Sequence, residues 1–269
     1  MKNKWIHLED LRVSDAYGRD IIRQASMELF ENEFVGIVGE SGSGKTMTVK
    51  AILDLLPEEL NMTCSKNEVL GQNLLKLSGK ERKRLIGSGI GFVPQNTIAF
   101  LHPLIKIKHQ IGEAFITHGM GNKKLAKEKA IHLLEKVGIR EPKRVLNSYP
   151  IQLSGGMKQR VNIAMALMTD PKVIVADEPT TALDTVIQKQ VLELLKEVHD
   201  KDGVSILFIS HDLKIVKQFC HRVYVMYKGN VVEAGKTKEI FQHPKHTYTK
   251  ELISLLPTLS KDKHMAETV

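Results

Sequence analysis

Three short runs in this sequence are apolar almost end to end: FVGIVG at 34–39, the first four residues of VIVADE at 173–178, and VSILFIS at 204–210. Runs this short, without polar alternation, predict strands buried on both faces, as in a parallel sheet. A helical spacing of apolar residues accompanies each. KTMTVKAILDLL follows the first run, RVNIAMALM precedes the second, and a segment through Gln188 to His199 precedes the third. Strand alternating with helix predicts a chain of the α/β class. Near the start, IHLEDLRV and the stretch before Phe34 predict short strands, and RVYVMYKGNVVEAG predicts a hairpin turning at Lys228-Gly229-Asn230. From about 97 to 165 the alternation is interrupted by helix-rich sequence such as KKLAKEKAIHLLEKVGI, which predicts an inserted helical subdomain. The chain has no internal repeat. Its last stretch, 259–269, is polar and is predicted to be a mobile tail.

Composition narrows the class without choosing a function. The 269 residues can bury one large core with a subdomain, and 42% apolar with 26% charged residues is ordinary for a globular protein. No apolar run approaches the 18 or so residues that cross a bilayer, and the opening MKNKWIHLED has no apolar core of a secretory signal. The two cysteines, Cys64 and Cys220, are far apart and form no ligand or redox spacing, so a reduced, cytoplasmic setting is expected. A net charge of +8 suits polyanionic partners, but the basic residues are scattered, so charge alone selects none.

The chemistry begins at GESGSGKT, which fits the phosphate-binding pattern G-x-x-x-x-G-K-[ST] with Gly39, Gly44, Lys45 and Thr46 in the fixed places. Its position between a predicted strand and helix is the context that gives the pattern meaning. Glycines allow backbone N–H groups to close around phosphates, so Glu40, Ser41, Gly42 and Ser43 join the candidate nucleotide contacts, with Thr48 just beyond. Lys45 would reach the β- and γ-phosphates, and the Thr46 hydroxyl would bind Mg²⁺. VIVADE then delivers Asp177 to the carboxyl end of a buried strand, where α/β sheets bind ligands, placing it to hold Mg²⁺. Glu178, one residue on, could orient and deprotonate an attacking water. LSGGMKQR (Leu153 to Arg160) is a second cradle of the same kind, a serine and two glycines ahead of a predicted helix.

A P-loop, then LSGG, then an apolar strand ending in Asp-Glu, then a histidine closing a later strand: over essentially its whole length the chain resembles the ATP-binding subunits of ABC transporters. The resemblance implies an α/β P-loop NTPase (RecA-like) core with an N-terminal antiparallel β subdomain and an inserted helical subdomain. The single ATPase domain would span 1–258. It explains the second cradle: two subunits face head to tail, and the LSGG of one closes on the nucleotide of the other. Ser154, Gly155 and Gly156 would then meet the γ-phosphate across the interface. Residue by residue, Gln95 resembles the Q-loop glutamine that senses metal and water, and Asp184 the D-loop aspartate that couples the sites. His211 resembles the switch histidine on the γ-phosphate, and Tyr17 the aromatic that stacks on adenine. Implied cofactors are ATP and Mg²⁺.

The narrower resemblance is to oligopeptide, dipeptide and nickel importers, carried by YPIQLSGGMKQRVNIAMAL, ADEPTTALDT and HPKHTYTKELISLLP. It implies integral membrane permease subunits, a second related ATPase subunit in a heterodimer, and an extracytoplasmic solute-binding protein. It implies no nucleic-acid partner and a peripheral location on the cytoplasmic face of the membrane. Departures are Met157 in place of the common glutamine, Ile151 in place of histidine, and Asn-Thr-Ile without a proline after Gln95. No cysteine cluster follows HTYTKEL, so the sequence leans toward the shorter nickel-type members and a metal chelate as cargo, ahead of peptide. The competing class is a soluble ABC ATPase acting on nucleic acid or ribosomes; such proteins usually carry two cassettes or long insertions.

Overall fold

The structure, a computed structural model, describes residues 2–95, 100–181 and 183–256. The tail at 259–269, the Asn-Thr-Ile segment after Gln95 and the first residues of the expected helical insertion at 97 lie outside the described residues.

The apolar runs become strands because each residue has a core to enter on one side or the other. β1 (Lys4–Ser14), β2 (Asp20–Phe30) and β3 (Phe34–Val38) open the chain. In β3, Val35 and Ile37 enter one hydrophobic core while Phe34 and Val38 enter a second on the opposite face. Helix α1 (Lys45–Ile52) follows, burying Val49, Ala51 and Ile52 in the first core. It is shorter than KTMTVKAILDLL suggested; it stops at Ile52, and Asp54 turns left-handed (φ 54°).

Next come three short strands, β4 (Asn61–Thr63), β5 (Lys66–Val69) and β6 (Gln72–Asn73), then α2 (Gly79–Gly89) and β7 (Ile90–Val93). The helix-rich middle contains α3 (Ile107–Gln110), α4 (Glu113–Thr117), α5 (Lys123–Lys136), α6 (Pro142–Asn147) and α7 (Gly155–Leu167). The rest alternates: β8 (Val173–Asp177), α8 (Thr185–Asp202), β9 (Ser205–Ile209), α9 (Leu213–Phe219), β10 (Arg222–Tyr227), β11 (Asn230–Lys236), α10 (Thr237–Gln242) and α11 (Thr247–Ser254).

Strands β10, β3, β9, β8 and β7 pair in parallel in that order. β8 and β9 repeat the two-faced burial of β3: Val173, Val175, Leu207 and Ile209 face the first core, and Ile174, Ala176, Ile206 and Phe208 the second. β11 folds back antiparallel on β10 through the predicted hairpin, whose turn residues Lys228 and Gly229 both have positive φ (46° and 79°). It also joins the parallel strands to the N-terminal antiparallel sheet of β1, β2, β4, β5 and β6. The first core lies between that sheet and the parallel strands, around α1; the second lies under α5, α7, α8 and α9. Parallel strands in register end together, and the ends of β3 and β8 carry the residues of interest.

Candidate nucleotide site

The loop after β3 leaves at Gly39, where φ is +151° and an added Cβ would stand 2.1 Å from the Met226 carbonyl oxygen. Only glycine fits so close to that backbone. Lys45 then folds back: its Nζ donates to the carbonyls of Gly39 and Glu40, each at 2.8 Å. Ser43 N–H donates to Glu40 O at 3.2 Å, and Gly229 N–H donates to Ser43 O at 3.1 Å. Thr48 Oγ1 donates to Gly44 O at 3.0 Å. The carbonyls of Gly39, Glu40, Ser43 and Gly44 are thus occupied. The N–H groups of Ser41, Gly42, Gly44, Lys45 and Thr46, by contrast, find no acceptor among the described residues. That is five free donors at the positive end of a helix.

Asp177 ends β8 and is almost fully buried; its Oδ1 accepts from Thr46 Oγ1 at 3.2 Å. Burial is the main force raising its pKa, with Glu178 adding to it and Thr46 and Lys45 opposing. Burial likewise lowers the pKa of Lys45, against the pull of Glu178, Asp177 and Glu40. Both groups are therefore poorly solvated charges in the free protein.

Glu178 has a left-handed backbone (φ 45°), which costs a non-glycine residue about 1 kcal/mol or more. Its N–H donates to Ile209 O at 3.0 Å and its carbonyl accepts from Thr181 N–H at 3.1 Å, which fix that conformation. Three donors meet on one carboxylate oxygen, Oε2: Gln95 Nε2 at 3.1 Å, Thr181 Oγ1 at 3.0 Å and His211 Nδ1 at 3.2 Å. Oε1 has no partner among the described residues. A carboxylate clamped by one oxygen and free at the other can hold and deprotonate a water.

The structure thus brings together Gln95, Glu178 and His211, and separately Lys45, Thr46 and Asp177. Thr181 is a member of the first cluster that the sequence reading missed, although its place three residues after Glu178 was a usable signal. Ser154 caps α7, accepting from Met157 N–H at 3.3 Å, and Asp184 caps α8 through Val186 N–H and Ile187 N–H. Ser154, Gly155 and Asp184 are exposed, and no hydrogen bond joins Ser154, Gly155 or Gly156 to the P-loop. Tyr17 is 85% exposed in a turn held by Asp15, with the Arg19 guanidinium 5.6 Å from its ring centre.

The donor chemistry fits a nucleotide and its cation. Five free N–H groups and the buried, unpartnered Ser43 Oγ suit phosphate oxygens. The Thr46 hydroxyl and Asp177 carboxylate are the hard oxygen donors that Mg²⁺ takes. It follows that Asp177→Asn should unload a buried charge. The nucleotide-free protein is expected to melt up to about 3 °C higher, at roughly 2–4 °C per kcal/mol for a chain of this size, while losing the Mg²⁺-dependent stabilisation by ATP. Thermal melts with and without Mg-ATP check this; a lower melting point without nucleotide would contradict it.

Comparison with known proteins shows the family. A family model described as ABC transporter matches residues 22–181. The dipeptide transport ATP-binding protein DppD of Escherichia coli (strain K12) is 44% identical over 242 residues, covering 90% of this chain and 74% of that one. The oligopeptide transport ATP-binding protein OppD of Bacillus subtilis (strain 168) is 44% identical over 259 residues, covering 94% and 72%. Among solved structures, the ATP-binding cassette MJ0796, dimeric in a post-hydrolysis state with ADP and Pi, superposes with a TM-score of 0.74 at 28% identity. That match covers 86% of this chain and 98% of that one. The structure of cbiO1 from Clostridium perfringens, part of the ABC transporter complex cbiONQ, gives a TM-score of 0.74 at 26% identity over 90% and 92%. The predicted α/β P-loop fold is the fold of these cassettes. With the family model across more than half its length and relatives at 44% identity, the chain belongs to the ATP-binding proteins of ABC transporters and is an ATPase that drives transport.

Proposed function

We propose that this chain is the ATP-hydrolysing subunit of an importer that takes up peptides, and that Glu178 is its general base. The observation that carries the reading is the convergence of Gln95, Thr181 and His211 on one oxygen of Glu178, one residue from an Asp177 that faces the P-loop. The free N–H groups of Ser41, Gly42, Gly44, Lys45 and Thr46 would hold the phosphates, with Lys45 exchanging its two carbonyl partners for phosphate oxygens. Thr46 and Asp177 would hold Mg²⁺, and Gln95, bonded to Glu178, would sense the cation and the water next to it. When bound, the cation neutralises charge on the phosphate oxygens. Oε1 of Glu178 takes the proton of the attacking water, and His211 steadies the carboxylate while reaching toward the γ-phosphate. Tyr17, exposed and free to stack, would meet the adenine.

Ser154, Gly155, Gly156 and Asp184 act on the nucleotide of a second ATPase subunit. The exposure of Ser154, Gly155 and Asp184 at two helix starts, apart from this chain's own P-loop, supports that assignment. We assign the second subunit to a related but different chain, the pair resting on permease subunits at the cytoplasmic face of the membrane and served by an external solute-binding protein. No described helix is long and apolar enough to cross a membrane.

The sequence leaned to a nickel-type cargo on the strength of its short end. Relatives named for dipeptide and oligopeptide transport, at 44% identity, support peptide instead. Deleting the gene is expected to abolish uptake of a radiolabelled dipeptide or short oligopeptide and to leave uptake of ⁶³Ni unchanged. The opposite pattern would return the cargo to a metal chelate.

A further inference from the structure

The C-terminal helix α11 seats Tyr248 at the edge of the second core, with Leu252 and Ile253 packed beside it, and from there it reaches the nucleotide loop. The Tyr248 hydroxyl accepts a hydrogen bond from the N–H of Glu40 at 2.9 Å, across 208 residues of sequence. Lys45 Nζ holds the carbonyl of the same residue at 2.8 Å, so Glu40 is fixed on both sides. Without Tyr248, its N–H would be one more loose donor in a loop that already has five.

Tyr248 is itself held firmly. Its ring stacks on Tyr227, with centroids 4.1 Å apart and planes at 25°. Tyr227 ends β10, whose hairpin supplies Gly229 N–H to Ser43 O, so the two tyrosines and the turn grip opposite ends of the loop. The Glu233 carboxylate of β11 accepts Lys245 N–H and His246 N–H at 2.8 and 3.0 Å, and His246 Nδ1 caps α11 by accepting Tyr248 N–H at 3.2 Å. Burial raises the pKa of the Tyr248 phenol, so the hydroxyl that accepts the Glu40 N–H stays protonated.

We infer that Tyr248 is a positioning residue for ATP binding: its hydroxyl ties Glu40 down so that the remaining N–H groups of the loop stay aimed at the phosphates. The C-terminal helix is therefore part of the nucleotide site, and its seating sets how tightly ATP is held. The inference rests on the P-loop reading of Gly39–Thr46.

Tyr248→Phe tests it, because the ring can still stack on Tyr227 and only the oxygen is lost. One hydrogen bond to a preorganised loop predicts a three- to tenfold rise, roughly, in the Kd for a trinitrophenyl ATP analogue and in the KM for ATP. The kcat at saturating ATP should stay within about twofold. Amide exchange in the peptide covering Gly39–Thr46 should speed up while exchange in β3 and α1 is unchanged. A residue that only packs would lower Tm and move none of these. Unchanged Kd together with unchanged exchange at 39–46 overturns the inference, as does a loss of kcat at constant KM. Lys45→Ala measured alongside separates the two readings: if it too binds ATP normally, the P-loop assignment has failed and not just the brace.

Discussion

Glu178→Gln is expected to lower ATP hydrolysis by at least about 10²-fold, the lower bound for losing a general base, while ATP still binds. The amide keeps the volume of the side chain and can still accept from Gln95, Thr181 and His211 through its oxygen. It cannot take a proton. Because the free N–H donors of the P-loop lie outside β8 and are untouched by the change, affinity should change little. ATP would then stay trapped between two subunits, and the ATP-bound dimer should persist on size exclusion. Single-turnover hydrolysis measures the first effect directly. Activity within about threefold of wild type would remove Glu178 from the role of base.

Lys45→Ala is expected to cost at least about tenfold in ATP affinity, the scale of one charge-assisted hydrogen bond, and more if both phosphate contacts go. The loss goes beyond one contact, because Lys45 also holds the carbonyls of Gly39 and Glu40, so the loop should open as well as lose its cation. Isothermal titration with ATP reports the affinity, and normal binding would sink the assignment. The same variant tests the subunit arrangement. Mixed with Ser154→Arg, it could form a homodimer in which one interface has an intact P-loop facing an intact LSGG. With a different chain as partner, these two variants never meet and hydrolysis stays lost. Recovery on mixing the two purified proteins would show a homodimer.

The sequence was most readable where one residue type had one possible purpose. Apolar runs at 34–38, 173–176 and 205–209 had to be strands buried on both faces, and both cores receive them alternately. The P-loop was legible because strand, glycines, lysine and helix come in one stretch. The second β layer was not. β4 to β6 are two to four residues long and partly exposed, so they carry no run and no period. Helix α2 buries no residue at all, although Ser78 and Glu81 form a capping box that marked its start. β7 hid behind Gly91, which breaks its apolar run because a Cβ there would lie 2.4 Å from the Ala166 carbonyl oxygen of α7. At the site, Glu178 was legible from its place after Asp177 at a strand end, and Gln95 and His211 through resemblance. That they share a single oxygen could only come from three dimensions. Tyr248 stands 208 residues from its partner, and no spacing rule reaches that far.

The order of the parallel strands also has a consequence for how the protein is made. β3, the strand that launches the P-loop, lies between β9 and β10, so both of its neighbours are encoded roughly 170 residues or more downstream. At about 5–20 residues per second, a ribosome takes on the order of ten to thirty seconds to deliver the first of them. For that time FVGIV is an apolar segment whose two native sheet neighbours have not yet been made. Slowing translation late in the message is therefore expected to lengthen that exposure and raise the insoluble fraction.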